Sequence, residues 1–150
     1  MKNFLFKISA FFIILISMSI PSGCTHANGD IGPLFGTWAF DKITVDDTPI
    51  PDYTEGLMIS FQGSFFIIDR VEMDLIENYQ RIYGKWEREG DTMTFDGKEE
   101  YLAGTFPEEL GVAPNGSFSV RVISETNKEM VWQRIGDDGK IWIYTLRKLI

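Results

Sequence analysis

The stretch FGTWAF, residues 35–40, is echoed by YGKWER, residues 83–88, and both read aromatic-Gly-x-Trp. Each phrase begins a run in which apolar residues alternate with others, the pattern of a β-strand with one buried face. A glycine inside a strand often marks a sharp bend or a close approach of another backbone. The flanks of the two phrases do not otherwise match, which argues against an internal duplication. The phrases therefore predict two strands that bend where Trp38 and Trp86 enter a sheet.

The first residues of the chain have the features of an export signal. Lys2 and Lys7 frame a basic start, and residues 8–20 form an apolar stretch. That stretch is shorter than the roughly 20 residues that span a bilayer as a helix. A basic start, a short apolar centre and small residues at the end are typical of a secretory signal.

The end of this signal, Ser22-Gly23-Cys24, resembles the bacterial lipobox, although Pro21 stands where an aliphatic residue is usual. The resemblance implies a lipoprotein signal peptide over residues 1–23, cut before Cys24, whose thiol then carries a diacylglycerol. Cys24 is the only cysteine, so an internal disulfide is excluded. An ordinary cleaved signal peptide and an uncleaved membrane anchor are the alternatives. Residues 24–33 are polar and contain two glycines, which predicts a tether.

The net charge of the protein excludes some classes of binding partner. Removing residues 1–23 leaves 127 residues (150 minus 23), enough for one domain with a hydrophobic core. It also removes two lysines and no acids, so the formal charge goes from −8 to −10. An acidic surface without a Lys/Arg cluster repels nucleic acid and anionic headgroups. We therefore expect no nucleic-acid partner and membrane attachment through the acyl chains alone.

The remaining residues, 34–150, read as short strands separated by turns. The segments GLMISF and SFFIID flank Gln62-Gly63, a gap of hairpin length. A change of phase after residue 68 predicts a bulge near Asp69-Arg70 and a strand that continues over residues 71–75, with a short helix as the alternative. With Gln62-Gly63 as the turn, three cross-strand pairs share one face: Phe61 with Ser64, Ile59 with Phe66, and Leu57 with Ile68. Further strands are predicted over residues 82–87, 92–96, 117–125, 129–135 and 141–149.

About eight strands joined mostly by hairpins predict an all-β fold, either an up-and-down barrel or a sandwich. Gly36-Thr37-Trp38 resembles the Gly-x-Trp signature of lipocalins and related calycin barrels. The resemblance implies that Gly36 turns the chain under the barrel and that Trp38 plugs its closed end. It also implies a basic residue of the last strand packed across Trp38, with Arg147 as the candidate and Lys148 as the alternative.

The order of motifs is similar to that of lipocalin-like lipoproteins of Gram-negative bacteria: GTW, FQGSF, GKWEREGDTMTF and KIWIYTLRKL follow one another. The resemblance implies an eight-stranded antiparallel up-and-down barrel over residues 34–150, monomeric and anchored in the cell envelope, at the outer membrane. It further implies an apolar cavity for a small hydrophobic ligand. The candidate wall residues are Phe40, Ile59, Phe66, Ile68, Tyr83, Phe95, Phe118, Val120 and Tyr144.

An eight-stranded barrel is just wide enough to hold one small ligand or to be filled by its own side chains. A filled barrel favours the other hypothesis, an interaction protein that docks on an envelope partner as an inhibitor or accessory subunit. The chain offers no catalytic constellation: His26, the only histidine, lies in the tether, and no cluster has the spacing of a metal site. We therefore expect no enzymatic activity, no metal and no cofactor.

One long loop, residues 99–117, interrupts the strands. Loops of this length in compact domains are usually lids, binding loops or disordered segments. Thr105, Pro107 and Glu108 predict a single helical turn, because Thr caps helices and Pro fits the first helical position. Tyr101, Leu102, Phe106 and Leu110 give the loop an apolar side. We expect the loop to pack down on the barrel, with a mobile lid as the alternative.

Overall fold

The computed structural model describes residues 34–51, 53, 56–71, 80–97, 105–113 and 116–149. The predicted signal peptide (1–23), the tether (24–33), Cys24 and His26 lie outside the described residues. Most of the predicted strand over 71–75 also lies outside them. Within the described part of the chain, no helix has the length and apolarity to cross a membrane.

The fold is all-β, as predicted. A 3-10 turn, Glu108–Leu110, is the one described helical segment between strands. The strands in chain order are β1 (Gly36–Val45), β2 (Thr48–Pro49), β3 (Leu57–Gln62), β4 (Phe65–Arg70), β5 (Gln80–Glu89), β6 (Thr92–Gly97), β7 (Gly116–Glu125), β8 (Glu129–Ile135) and β9 (Ile141–Lys148).

The sheet closes on itself. Its strand order is β2-β1-β3-β4-β5-β6-β7-β8-β9, and β1 also pairs with β9. All of these pairings are antiparallel, so the eight long strands form an up-and-down barrel and β2 is a short addition to β1. Closure leaves the eight-stranded sheet without the open edges that promote aggregation. The predicted eight-stranded barrel is confirmed.

The β3–β4 hairpin has the predicted faces and a different register. Phe61 pairs with Phe66 and Ile59 with Ile68, which is two residues away from the predicted pairing. The turn residues are Gly63-Ser64, and Gly63 has a φ of 58°, which suits the first position of a type II′ turn. Because side chains alternate with a period of two, a slip of two residues leaves the same side chains facing inward.

The bulges are also placed differently from the prediction. Register shifts occur in β1 between Phe40 and Lys42 and in β7 between Val122 and Ser124. The pairing of β4 with both neighbours runs without a shift through Asp69. The change of apolar phase after residue 68 therefore marks the end of β4, not a bulge inside it.

One end of the barrel, which we call the floor, contains the beginning of β1, the end of β9 and the residue Leu34 before β1. Trp38 is fully buried there, and its indole Nε1 donates to the carbonyl oxygen of Leu34 at 3.0 Å. Gly36 has a φ of 122°, a backbone conformation that favours glycine, where the chain enters β1. The first aromatic-Gly-x-Trp phrase thus closes the floor.

The glycine and the tryptophan of the second phrase, YGKWER, have different structural roles from those of the first. A Cβ added to Gly84 would lie 2.4 Å from the Asp96 carbonyl oxygen and 2.8 Å from the ring of Phe66. Gly84 therefore makes room for Phe66 inside the barrel. Trp86 packs edge-on against Phe61 at 5.2 Å between ring centroids and donates to the Gly63 carbonyl oxygen at 3.0 Å.

Candidate functional site in the barrel interior

The barrel interior brings together eight of the nine predicted wall residues. Seven of them are buried and Phe118 is half-buried against them: Phe40, Ile59, Phe66, Ile68, Phe95, Phe118, Val120 and Tyr144. The prediction of Tyr83 as the ninth wall residue is wrong, because its side chain is 45% exposed on the outer face. Ile82 and Gly84 of β5 are buried, and the alternation along the strand therefore turns Tyr83 outward.

Aromatic rings fill most of this interior. Phe95 stacks on Phe118 at 4.9 Å between ring centroids, and Trp132 lies 5.5 Å from Phe95 and 6.0 Å from Phe40. A cavity of about 10 Å³ remains, and a single water needs roughly 10–15 Å³. This cavity therefore has room for about one water molecule. The cavity is lined by Phe40, Ile59, Ile68, Leu110, Phe118, Val120, Trp132 and Tyr144.

The end of the barrel opposite the floor, which we call the mouth, is closed by residues 105–113, which we call the cap. Phe106 and Leu110 of the cap are buried, and Leu110 forms part of the cavity wall. The ring of Phe106 stacks on Phe66 at 6.1 Å and meets Phe118 edge-on at 5.1 Å. The cap packs down on the barrel, as expected for this part of the loop.

The cap contains the predicted helical turn, but Thr105 does not cap it. The turn is the 3-10 segment Glu108–Leu110, and Pro107 precedes it. Among the described residues, no side chain forms a capping hydrogen bond with it. It ends at Gly111, whose N–H donates to the Glu108 carbonyl oxygen at 2.8 Å. The described backbone hydrogen bonds of the cap are local, so no strand pairing holds the cap to the barrel.

Two side chains of the barrel wall hold the cap backbone instead. The Tyr144 hydroxyl of β9 donates to the Leu110 carbonyl oxygen at 2.6 Å. The Arg134 guanidinium of β8 donates to the Gly111 carbonyl oxygen, and its Nε donates to the Tyr144 hydroxyl oxygen at 3.2 Å. These three hydrogen bonds form one small polar network at the inner rim of the mouth.

An aromatic contact and an ion pair complete the attachment. Gly111 has a φ of 60°, and a Cβ added to it would lie 2.2 Å from Cζ2 of Trp142. The indole of Trp142 thus packs directly against the cap backbone, and the Arg134 guanidinium carbon lies 5.4 Å from its ring centre. On the other side of the cap, Arg70 of β4 forms a 2.6 Å ion pair with Glu109.

The mouth contains a buried positive charge, that of Arg134, although the protein as a whole is acidic. Arg134 is only 9% exposed, and among the described residues no carboxylate forms an ion pair with it. Its charge is met by the carbonyl dipole of Gly111, the Tyr144 hydroxyl and the Trp142 ring. Burial raises the pKa of the Tyr144 phenol above its ordinary value, and the neighbouring Arg134 partly opposes this shift.

The predicted contact between Trp38 and Arg147 is wrong, and Lys148 takes that place. Arg147 is exposed on the outer face, where its Nε donates to Asp41 at 3.1 Å. Lys148 pairs directly with Trp38 across β1 and β9, and its Nζ lies 5.3 Å from the Trp38 ring centre. The reason is the phase of β9: Tyr144 and Leu146 point inward, and the next inward position is Lys148 rather than Arg147.

Sequence reasoning missed Arg134 and Trp132 as interior residues. The signal was present in EMVWQRI, residues 129–135, where Met130, Trp132 and Arg134 share one phase of the alternation and are all buried. An arginine at the end of an apolar phase is easily read as a surface residue, since arginines are rarely buried unless paired. Within the described residues, no group of three His, Cys, Asp or Glu side chains has the arrangement of a metal site.

Comparison with known proteins supports the fold alone. No family model matches the chain, and no curated protein matches it. A solved structure of a lipocalin-like protein from Bacteroides uniformis aligns with a TM-score of 0.57 and 16% identity, over 79% of this chain and 100% of that one. An uncharacterized protein from Bacteroides eggerthii aligns with a TM-score of 0.58 and 16% identity, over 77% and 99% of the two chains. The chain therefore has a lipocalin-like fold.

Proposed function

We propose that this lipocalin-like barrel is a non-enzymatic binding module for a small hydrophobic ligand, and that the ligand enters when the cap leaves the mouth. The observation that carries the proposal is the cap itself. Leu110 forms one side of an apolar cavity, and within the described residues no strand pairing holds its backbone. Ligand sites in proteins are typically apolar cavities with a few convergent polar groups, which is the composition of this interior and its rim.

The energetics allow such an exchange. Fully burying a Leu or Phe side chain contributes roughly 1.5–3 kcal/mol, so exposing Leu110 and Phe106 costs about 3–6 kcal/mol. An opening cost of that size leaves the open state populated at about 1% or less, which weakens the apparent affinity by the same factor. A ligand that buries as much apolar surface as the two side chains offsets the cost. A predominantly open state therefore requires a hydrophobic ligand.

We further propose that the mature chain begins at Cys24, is acylated there, and is held as a monomer in the cell envelope, at the outer membrane of a Gram-negative bacterium. The support is the Ser22-Gly23-Cys24 motif followed by a polar tether. Cys24→Ser is expected to move the protein from the membrane fraction to the soluble fraction. If the variant still sediments with membranes, anchoring at Cys24 is excluded.

The ligand is tested by native mass spectrometry of the Cys24→Ser protein purified from its own host. We expect a co-purifying hydrophobic metabolite or lipid that is lost in Phe118→Ala, since Phe118 lines the cavity. Tyr83→Ala is the matched control, because it removes an aromatic ring from the outer face of the same barrel. Equal loss of the ligand in both variants, or its absence from the parent protein, counts against the proposal.

A second function is favoured by the small volume of the cavity, about 10 Å³. A barrel filled by its own side chains serves as an interaction protein that docks on an envelope partner. For that function we expect no co-purifying small molecule and the capture of one envelope protein in stoichiometric amount. The same purification thus distinguishes the two functions.

A further inference from the structure

We propose that the ligand is an anionic amphiphile, a molecule with an alkyl chain and a carboxylate, and that Arg134 and Tyr144 bind the carboxylate at the mouth. The inference rests on the proposed binding function and adds the chemical class of the ligand. In the capped barrel the same two side chains donate to the carbonyl oxygens of Gly111 and Leu110. A carboxylate replaces these oxygens when the cap leaves.

The guanidinium charge of Arg134 is buried. Removing a guanidinium from water is costly unless an anion and further hydrogen bonds compensate for it. Arg134 is 9% exposed and has only neutral partners among the described residues. A carboxylate forms shorter and stronger hydrogen bonds with a guanidinium than a neutral carbonyl does. The mouth is therefore better matched to an anionic headgroup than to the cap that now occupies it.

Leu110 occupies the site with both its side chain and its backbone carbonyl group. Its side chain lies in the wall of the apolar cavity, and its carbonyl oxygen accepts from the Tyr144 hydroxyl at 2.6 Å. An apolar group below and an oxygen acceptor at the rim are also the two parts of an alkyl carboxylate. The cap thus satisfies the site with the same order of chemical groups that we assign to the ligand.

The cavity wall also contains a hydrogen-bond donor that has no partner among the described residues. Trp132 is 1% exposed and lines the cavity, and within the described part of the chain its indole Nε1 has no hydrogen-bond partner. It precedes Arg134 by two positions on the same inward face of β8. A buried donor without a partner costs about 1–3 kcal/mol. The three polar side chains on this part of the wall, Trp132, Arg134 and Tyr144, all present hydrogen-bond donors, and the described wall offers no carboxylate to a cationic ligand.

The test compares three probes that share one alkyl chain: decanoate, decanol and decylamine. Their affinities for the full chain carrying Cys24→Ser are measured by isothermal titration calorimetry at neutral pH, below their micellar concentrations. Hydrogen bonds to charged groups are stronger than neutral ones, so we expect decanoate to bind about ten- to a hundredfold more tightly than decanol. Decylamine is expected to bind more weakly than either.

Two arginine variants then assign the preference to the mouth. In Arg134→Met, decanoate and decanol are expected to bind within about threefold of each other, because the charge-assisted hydrogen bonds are gone. Arg147→Met is the control, since it removes an arginine from the outer face of β9 and is expected to keep the full preference. If Arg134→Met does not fold, Tyr144→Phe provides the test, and decanoate affinity is expected to fall about three- to tenfold.

The outcomes separate the two proposals. Decanol binding as tightly as decanoate overturns the anionic ligand and leaves the binding function standing. A preference for decanoate that survives in Arg134→Met, or a decanoate affinity that is unaffected by Tyr144→Phe, also overturns the assignment to this mouth. Failure of all three probes to bind overturns both the inference and the proposed function.

Discussion

The floor and the mouth of this barrel are both closed by a large apolar side chain, but they are closed in different ways. Trp38 at the floor belongs to β1, which is hydrogen-bonded to β3 on one side and to β9 on the other. Leu110 at the mouth belongs to a segment whose described backbone hydrogen bonds are local. The floor is therefore part of the sheet, whereas the cap is a separate piece attached to it.

Because of this difference, different interactions must be broken to open the two ends of the barrel. Exposing Trp38 requires the loss of strand pairing, so the floor opens only when the barrel unfolds. Exposing Leu110 breaks the hydrogen bonds of Tyr144 and Arg134, the Arg70–Glu109 ion pair and the apolar contacts of the cap. Segments that gate binding sites come from the part of a protein with the lowest local stability. We therefore expect the mouth to open while the barrel stays folded.

The largest expected effect is at the floor. Trp38→Ala removes a fully buried indole and its hydrogen bond to Leu34, and replacing a large core aromatic by alanine costs about 3–5 kcal/mol. We expect a loss of this size in the free energy of unfolding, measured by urea denaturation. All strand signals should disappear in one transition. A loss below about 1 kcal/mol would mean that Trp38 is not part of the cooperative core.

At the mouth, Gly111→Ala is expected to detach the cap. It forces a non-glycine residue into a left-handed conformation, at a cost of about 1–2 kcal/mol, and drives a Cβ into the Trp142 ring. Gly90→Ala is the matched control, because Gly90 has a φ of 59° and no atom of the described residues lies within 4 Å of the added Cβ. Hydrogen exchange of the cap amides should accelerate in Gly111→Ala alone, while the strand amides keep their protection. Identical exchange in the two variants would show that Trp142 does not hold the cap.

Tyr144→Phe is expected to have a smaller effect, a loss of about 1–2 kcal/mol, because it leaves the Leu110 carbonyl without its buried donor. It also changes the pH dependence. Burial raises the pKa of Tyr144 in the folded state, so its contribution is complete below the unfolded pKa of about 10 and is lost as the pH rises through the folded pKa. Unfolding measured above pH 10 should depend less steeply on pH in Tyr144→Phe than in the parent protein. An unchanged dependence would assign the alkaline titration to another group.

The smallest expected effects distinguish the two basic residues at the end of β9. Lys148→Met removes a cation from the Trp38 ring and is expected to cost about 0.5–1 kcal/mol. Arg147→Met breaks an exposed ion pair with Asp41, and such pairs contribute roughly 0–1 kcal/mol and weaken in salt. Denaturation at low and high salt should therefore show that the effect of Arg147→Met is screened by salt. An effect of Arg147→Met that does not change with salt would contradict a role limited to the exposed ion pair with Asp41.

The sequence predicted most of the barrel because its strands are short and their alternation is clear. Five predicted strand ranges, from residues 82–87 to 141–149, match β5 to β9 with small differences at their ends, and the last extends one residue beyond β9. The face of the β3–β4 hairpin was predicted correctly and its register was not, since the position of a two-residue turn depends on backbone conformation at Gly63. Alternation fixes which side a residue faces and leaves a slip of two residues undetermined.

The candidate site was harder to predict because the side chains that form it come from different strands and from a loop. The alternation along β5 and β9 turns Tyr83 and Arg147 outward, and a motif of a few residues does not specify which face each of them takes. The contact of Arg134 with the cap joins residues from β8 and from a loop more than twenty positions away, and no local pattern specifies it. The filled interior follows from how the rings of Phe95, Phe118 and Trp132 pack, which composition alone does not fix.

The pairing of β1 with β9 has a consequence for how the chain becomes a barrel. Every other neighbouring pair in the closed sheet joins strands that follow one another closely along the chain, whereas Asp41 and Arg147 in β1 and β9 are 106 positions apart. Local hairpins form in about 1–10 μs, but a pairing between distant segments waits for the closure of a long loop. Until β9 has been synthesised, β1 and β8 each have an open edge on which a second nascent chain can pair. The final strand therefore completes the fold and also ends the period in which the growing chain is prone to aggregate.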